Sequence, residues 1–208
     1  MVAERLRAYG GSFQGSGSMS DAWRTPSARR DDSVHCETAM EWRPGLAAFV
    51  RRAHELGAVG AKGIRADSIV TAPWVRLKCQ FGCGGWASSL CCPPHTPTPE
   101  ETARVIACYR RALLVHCKEG KRPSKIVAVL EREIFLAGFY KALGFGAGPC
   151  RWCKACALEG CRRPEDARPS MEACGIDVFA TVRANALPIA VVREVCDDQN
   201  YYGLVLID

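Results

Sequence analysis

Residues 150–161 read Cys-Arg-Trp-Cys-Lys-Ala-Cys-Ala-Leu-Glu-Gly-Cys, and the spacing of their four cysteines governs the interpretation of the whole chain. Cys150, Cys153 and Cys156 are separated by two residues each, and Cys161 follows after four more. Each turn of such a loop directs another sulfur towards the same point, so the loop can surround one soft metal centre. An iron–sulfur cluster is the natural occupant of a site of this kind.

The run resembles the cysteine motif of bacterial ferredoxins, with two departures. The last gap is four residues instead of three, and Pro164 follows Cys161 only after two arginines. In two-cluster ferredoxins the fourth cysteine ligates the other cluster, so the changed spacing bears mainly on the role of Cys161. Zinc is the competing occupant, although zinc sites usually combine two separated Cys-x-x-Cys knuckles. Unligated thiols are the remaining alternative.

A second set of cysteines lies upstream, in residues 78–94, which read Lys-Cys-Gln-Phe-Gly-Cys-Gly-Gly-Trp-Ala-Ser-Ser-Leu-Cys-Cys-Pro-Pro. The glycines permit tight turns and the double proline favours an extended exit, so we predict a binding loop instead of a helix or strand. Cys79, Cys83 and one of Cys91 or Cys92 are expected to supply three thiolates, with the remaining vicinal cysteine pointing away. The alternative is that Cys91 and Cys92 are buried as small apolar residues.

The two loops allow two arrangements, which differ in function. They serve either two separate clusters, one with an iron that no cysteine binds, or one centre with some thiols left over. A fully ligated cluster transfers electrons, whereas a cluster with an open iron can act as a Lewis acid towards a substrate. The sequence leaves both arrangements open.

Composition narrows the class of protein. The 208 residues include 13 cysteines, and neither a secretory signal nor a membrane-spanning segment is recognisable. We therefore expect a cytoplasmic, reducing compartment, in which clustered thiols bind metal in preference to forming disulfides. The net charge of +6 is too small for a dedicated nucleic-acid binder, although basic residues around the 150–161 loop are suited to an acidic redox partner.

Several longer segments resemble the predicted metal-binding proteins grouped as a domain of unknown function, DUF2284. The resemblance extends from about residue 45 to the C-terminal region, and it is carried by residues 75–79, 91–95, 148–153, 168–178 and 200–204. It implies a cysteine-bound metal, in particular iron–sulfur, and it supplies no substrate.

Apolar periodicity and capping signals predict one domain over residues 41–208, preceded by a disordered extension over residues 1–40. Helices are expected over 46–56, from Thr98 to about 109, from Ser124 to about 143, and after a cap at Asp177. Short strands are expected over 68–71, 74–77, 111–117 and 202–207. The predicted fold is α/β or α+β, with a small mixed sheet flanked by helices and cysteine-rich metal-binding loops at one end.

The functional prediction is an iron–sulfur protein that acts in electron transfer or cluster-based redox chemistry. The expected cofactor is one or two clusters of the 4Fe–4S type, with zinc as the alternative. The other candidate functions are an enzyme whose three-cysteine cluster binds substrate at an open iron, and a zinc-stabilised interaction module. The sequence identifies no catalytic residue, substrate or oligomeric state, and whether the protein is an enzyme stays open. The predicted metal ligands are Cys79, Cys83, Cys91, Cys92, Cys150, Cys153, Cys156 and Cys161.

Overall fold

A four-stranded sheet lies at the centre of the computed structural model, which describes residues 45–118, 123–194 and 196–208. Its strands are β1 (Gly60–Arg65), β2 (Arg111–Lys118), β3 (Leu143–Phe145) and β4 (Asn200–Leu206). The spatial order is β1-β2-β4-β3, and every neighbouring pair is antiparallel. Of the two fold classes expected, α+β is therefore the one observed.

The sheet is antiparallel where the sequence predicted a mixed one, and the chain order explains why. β2 and β3 are both antiparallel to β4, so they run parallel to each other. The helix between them makes the crossover that a parallel pair requires. β4 then inserts between the two strands, which leaves no parallel pair side by side.

β2 reads as a continuous apolar run because both faces of the sheet are covered. Alternate side chains point to opposite faces, and Ala112 and Leu114 belong to one buried cluster while Leu113 and Val115 belong to the other. All four side chains are fully buried.

Five helices surround the sheet in the described part of the chain: α1 (Leu46–Glu55), α2 (Pro73–Gly82), α3 (Pro99–Ile106), α4 (Pro123–Leu136) and α5 (Val178–Ala184). α1 and α4 cover one face through residues such as Phe49 and Leu130. The opposite face is covered by Met171, Ile176 and Val182, which lie in and around α5 and a short 3-10 turn (Glu172–Cys174). The 3-10 turn on this second face contacts α2 at Cys79.

Two predicted helix starts are confirmed with their capping bonds. At α3 the Glu101 amide donates to Thr98 Oγ1 at 3.2 Å, and the Thr98 amide donates to Glu101 Oε2 at 2.8 Å. At α5 the Ala180 amide donates to Asp177 Oδ1 at 2.9 Å. Both caps satisfy amides that the first helical turn leaves unpaired.

The predicted strand over 74–77 is wrong, because those residues form the first turns of α2. Pro73 occupies the first turn of the helix, where its missing amide costs nothing and its fixed φ favours helix. The predicted strand over 68–71 is also wrong. Its start lies in a second 3-10 turn (Ala66–Ser68), and only Thr71 makes an isolated bridge, to Ile176.

β1 was not predicted because it contains two glycines and few strand-forming side chains. Gly63 leaves room for Leu46 against this strand, since a Cβ atom at that position would lie 3.0 Å from Leu46 Cδ1. β3 was missed because the predicted helix continued to about residue 143, whereas α4 ends at Leu136.

The predicted extension, residues 1–40, lies outside the described residues, and the domain boundary beside it stays a prediction. Among the helices that the structure describes, none has the length and apolar character needed to cross a membrane.

Candidate metal centre

α2 presents the first two cysteines at its C-terminal end. Cys79 lies in its last turns, and Cys83 is its C-terminal capping residue. The Cys79 thiol donates to the carbonyl of Glu172 at 3.8 Å, which joins α2 to the 3-10 turn. The predicted loop thus begins at Cys83, and residues 78–82, which were expected to be in it, are helical.

The loop after α2 folds back on itself and buries both vicinal cysteines. The Ala87 amide donates to the Pro93 carbonyl at 2.6 Å, and the Cys92 amide donates to the Ser89 carbonyl at 3.0 Å. At the loop exit Arg76, from α2, donates to the Pro97 carbonyl at 2.8 Å. These bonds fix the loop across its base, and the exposed fractions of Cys91 and Cys92 are only 9% and 7%.

Cys79, Cys83 and Cys92 form what we call the first thiol group. A Cβ atom built on Gly85 would lie 3.4 Å from the sulfur of Cys83 and 3.6 Å from the sulfur of Cys92, so both sulfurs border one small volume. Burial raises the pKa of Cys79, and the nearby Cys83, Glu172 and Cys92 raise it further. The three thiols therefore lie within electrostatic range of one another.

The second thiol group consists of the cysteines that line a cavity of about 220 Å³: Cys91, Cys150, Cys153, Cys156 and Cys161. Burial raises the pKa of Cys91 to about 12, with further contributions from the charge of Cys150, a hydrogen bond to it, and the charge of Cys161. Cys91 thus joins the 150–161 loop while Cys92, the next residue, joins the first thiol group.

The sequence predicted that one vicinal cysteine serves the upstream set and that the other points away. The two cysteines line different cavities, and their assignment as metal ligands stays a prediction. The sequence did not reveal that the other cysteine would face the downstream loop. Nothing local distinguishes Cys91 from Cys92, because the difference arises from the position at which the 150–161 loop packs.

A backbone amide donates to a sulfur in each group. The Gly85 amide lies 3.4 Å from Cys83 Sγ, and the Arg163 amide lies 3.4 Å from Cys161 Sγ. Hydrogen bonds to cysteine sulfurs are one of the means by which proteins tune a thiolate-bound cluster.

Side-chain contacts hold the downstream loop in place. Trp152 Nε1 donates to the Asp166 carbonyl at 3.1 Å, and the Lys125 ammonium lies 5.2 Å from the centroid of the Trp152 ring. Arg168 makes a two-pronged ion pair with Glu131 of α4 and donates to the Pro164 carbonyl at 3.1 Å. Glu131 also accepts the Gly144 amide at 2.9 Å, so one carboxylate joins α4, β3 and the end of the loop.

A larger cavity of about 920 Å³ opens beside the first thiol group. Cys79, Cys83, Cys92 and Cys150 line it, together with the aromatic residues Trp74, Trp86, Trp152, Phe179, Tyr201 and Tyr202. Four basic residues also line it: Lys78, Lys125, Arg151 and Arg168. Its volume falls in the range of small-molecule binding sites.

Glu172 is a polar residue of this cavity that the sequence analysis did not identify. Its Oε2 atom is buried without a hydrogen-bond partner in the described part of the chain, and burial raises the pKa of the carboxyl. Only its surroundings single it out, since the short turn that contains Glu172 has no metal-binding or catalytic motif of its own.

The donor set is suited to a soft metal. The eight cysteines of the two groups are all reduced thiols, and thiolates select iron–sulfur clusters, zinc and copper(I). Within residues 45–118, 123–194 and 196–208, no three His, Cys, Asp or Glu side chains converge closely enough to hold a single metal ion. The residues therefore fit a thiolate-bound centre by their chemistry, and their sulfurs are spread around two cavities.

The family described as predicted metal-binding protein (DUF2284) matches residues 62–207, well over half of the chain. The comparisons with curated proteins and with solved structures gave no match.

Proposed function

The chain belongs to the family of predicted metal-binding proteins, DUF2284, and from that premise we propose that it is an iron–sulfur protein acting in electron transfer or cluster-based redox chemistry. The observation that carries the proposal is the separation of eight reduced thiols into two groups at adjoining cavities.

The spread of the sulfurs favours iron–sulfur over zinc. A structural zinc ion needs four donors at about 2.0–2.3 Å from one point, whereas each thiolate of an iron–sulfur cluster binds its own iron at the cluster surface. Five thiols surround a cavity of about 220 Å³, and within the described segments no three donors converge on one position. This arrangement suits a cluster whose irons each bind a different thiolate.

The two groups suit different tasks. The second thiol group has more than the four cysteines that a 4Fe–4S cluster needs, and the first has three. A cluster supplies one-electron transfer, and an iron without a protein thiolate can in addition bind and polarise a substrate. The cavity of about 920 Å³ beside the first thiol group therefore favours the second candidate function, an enzyme that binds its substrate there.

The adjacency of Cys91 and Cys92 supports a connection between the groups. One peptide unit joins the two residues, and each contributes to a different group. Electrons delivered at the exposed downstream loop would thus have a short covalent route to the cavity.

The exterior of that loop suits an acidic redox partner. Arg151, Lys154, Arg162 and Arg163 are exposed in it, and a basic patch steers a negatively charged protein during encounter. We also propose a reducing, cytoplasmic compartment, in which clustered thiols stay available to a metal.

Anaerobic purification, followed by visible absorption and electron paramagnetic resonance of the reduced protein, tests the proposal. We expect a brown protein with a cluster resonance, and we expect Cys83→Ser to weaken that signal, because it leaves only two cysteines in the first thiol group. The matched control is Cys108→Ser, because Cys108 is an exposed thiol outside both groups. A colourless protein that retains stoichiometric zinc would refute the proposal.

A further inference from the structure

The cavity of about 920 Å³ is too large for a bare inorganic anion and is within the range for organic ligands. Six aromatic side chains line it, and Trp74 is half exposed there although it is a large apolar residue. Aromatic walls favour a flat, conjugated ligand, because such a ligand gains both apolar burial and ring stacking.

The charges around this cavity favour an anion. Within the part of the chain that the structure describes, Arg168 is the one basic residue of this lining that is paired with a carboxylate. Across the described segments, Lys78, Lys125 and Arg151 make no ion pair.

The lining also has two acidic residues, Glu172 and Asp177. Asp177 is engaged in capping α5, and the basic residues of the lining outnumber the acidic ones by four to two.

We propose that this cavity binds an organic anion with a planar conjugated body, whose negative group lies at Lys125 and Arg151. Lys125 is already held over the Trp152 ring at 5.2 Å, so the cation and an aromatic surface are presented together. The ligand class is argued from the lining of the cavity alone. The inference rests on the proposed function only where this anion is taken to be the molecule on which the first thiol group acts.

The test uses anilinonaphthalene sulfonate, a fluorescent anion with a planar naphthalene ring system, and its uncharged parent amine, phenylnaphthylamine. Binding of each probe to the full chain is titrated by fluorescence. We expect Lys125→Met to weaken binding of the sulfonate roughly tenfold, because a charge-assisted contact is lost. Arg151→Met should act in the same direction, and binding of the uncharged amine should be unchanged in both variants.

The chain supplies a matched control in Lys141, whose ammonium lies 5.1 Å from the centroid of the Tyr109 ring. Lys141 has the same charge and the same type of ring contact, but it does not line the cavity. Lys141→Met should leave binding of the sulfonate within twofold of the wild type. Equal effects of Lys125→Met and Lys141→Met, or binding of the uncharged amine as tight as that of the sulfonate, would overturn the inference.

Repeating the titration on metal-free and metal-containing protein separates this inference from the proposed function. Selective binding of the sulfonate in both forms supports the ligand class whatever the metal is. Selective binding of the sulfonate by anaerobically purified protein that contains zinc and no iron would refute only the proposed function.

Discussion

The ion pair between Arg168 and Glu131 anchors the downstream cysteine loop, and its removal should loosen that loop measurably. The two side chains are only 18% and 13% exposed, and the same carboxylate accepts the Gly144 amide at 2.9 Å. Arg168→Met therefore leaves a mostly buried carboxylate without its cation and removes the hydrogen bond to the Pro164 carbonyl.

The expected cost follows from burial. Breaking a fully buried ion pair costs about 3–5 kcal/mol, and the residual exposure reduces this to about 2 kcal/mol for Arg168→Met. Glu131→Gln keeps an acceptor for the Gly144 amide, so it should cost less. In the double variant both charges are removed, and the cycle should give a coupling free energy of about 1 kcal/mol.

Urea unfolding followed by tryptophan fluorescence measures these free energies, since the chain has five tryptophans. The four proteins are compared at matched metal content, because a ligand that binds only the folded state adds to apparent stability. An Arg168→Met cost below about 0.5 kcal/mol, with no coupling in the cycle, would contradict the assigned role of this pair.

Three further predictions concern the vicinal cysteines, one glycine and one buried tyrosine. Cys92→Ser should lower the iron content per chain, because the first thiol group has only three cysteines. Cys91→Ser should change the iron content little, because four cysteines remain in the second thiol group. Iron analysis showing the reverse order would contradict the division. Gly144→Ala should destabilise the fold by about 1–3 kcal/mol, because the new Cβ atom would lie 2.5 Å from two side-chain atoms of α4. Gly160→Ala is the control: its new Cβ atom would have no atom within 4 Å, so the substitution should cost much less in the same urea assay. Burial raises the pKa of Tyr202 from 10.0 to about 12, so the folded state keeps a proton that the unfolded state releases, and stability should fall as pH rises from 10 towards 12. Tyr202→Phe should flatten that alkaline decline in a pH series of unfolding curves, and an unchanged slope would count against it.

Local sequence signals predicted those parts of the fold that depend on a few neighbouring residues. The capping box at Thr98 and the cap at Asp177 are examples, since each is completed within three residues of the helix start. Strand β2 was equally predictable, because a continuous apolar segment of this length is typical of a buried strand.

Features that depend on distant contacts could not be predicted. Pro73 starts a helix in the structure, yet the short apolar segment after it also suited a strand. The assignment of Cys91 to one group and Cys92 to the other depends on where a loop some sixty residues later packs. Glu172 gains its buried environment only when its turn meets α2.

Analysis of iron, acid-labile sulfide and zinc per chain in anaerobically purified protein tests the central claim most directly. The two thiol groups predict iron and sulfide in equal amounts, about four of each per loaded group, with little zinc. One zinc ion per chain without sulfide would contradict the claim that these eight cysteines bind iron–sulfur clusters.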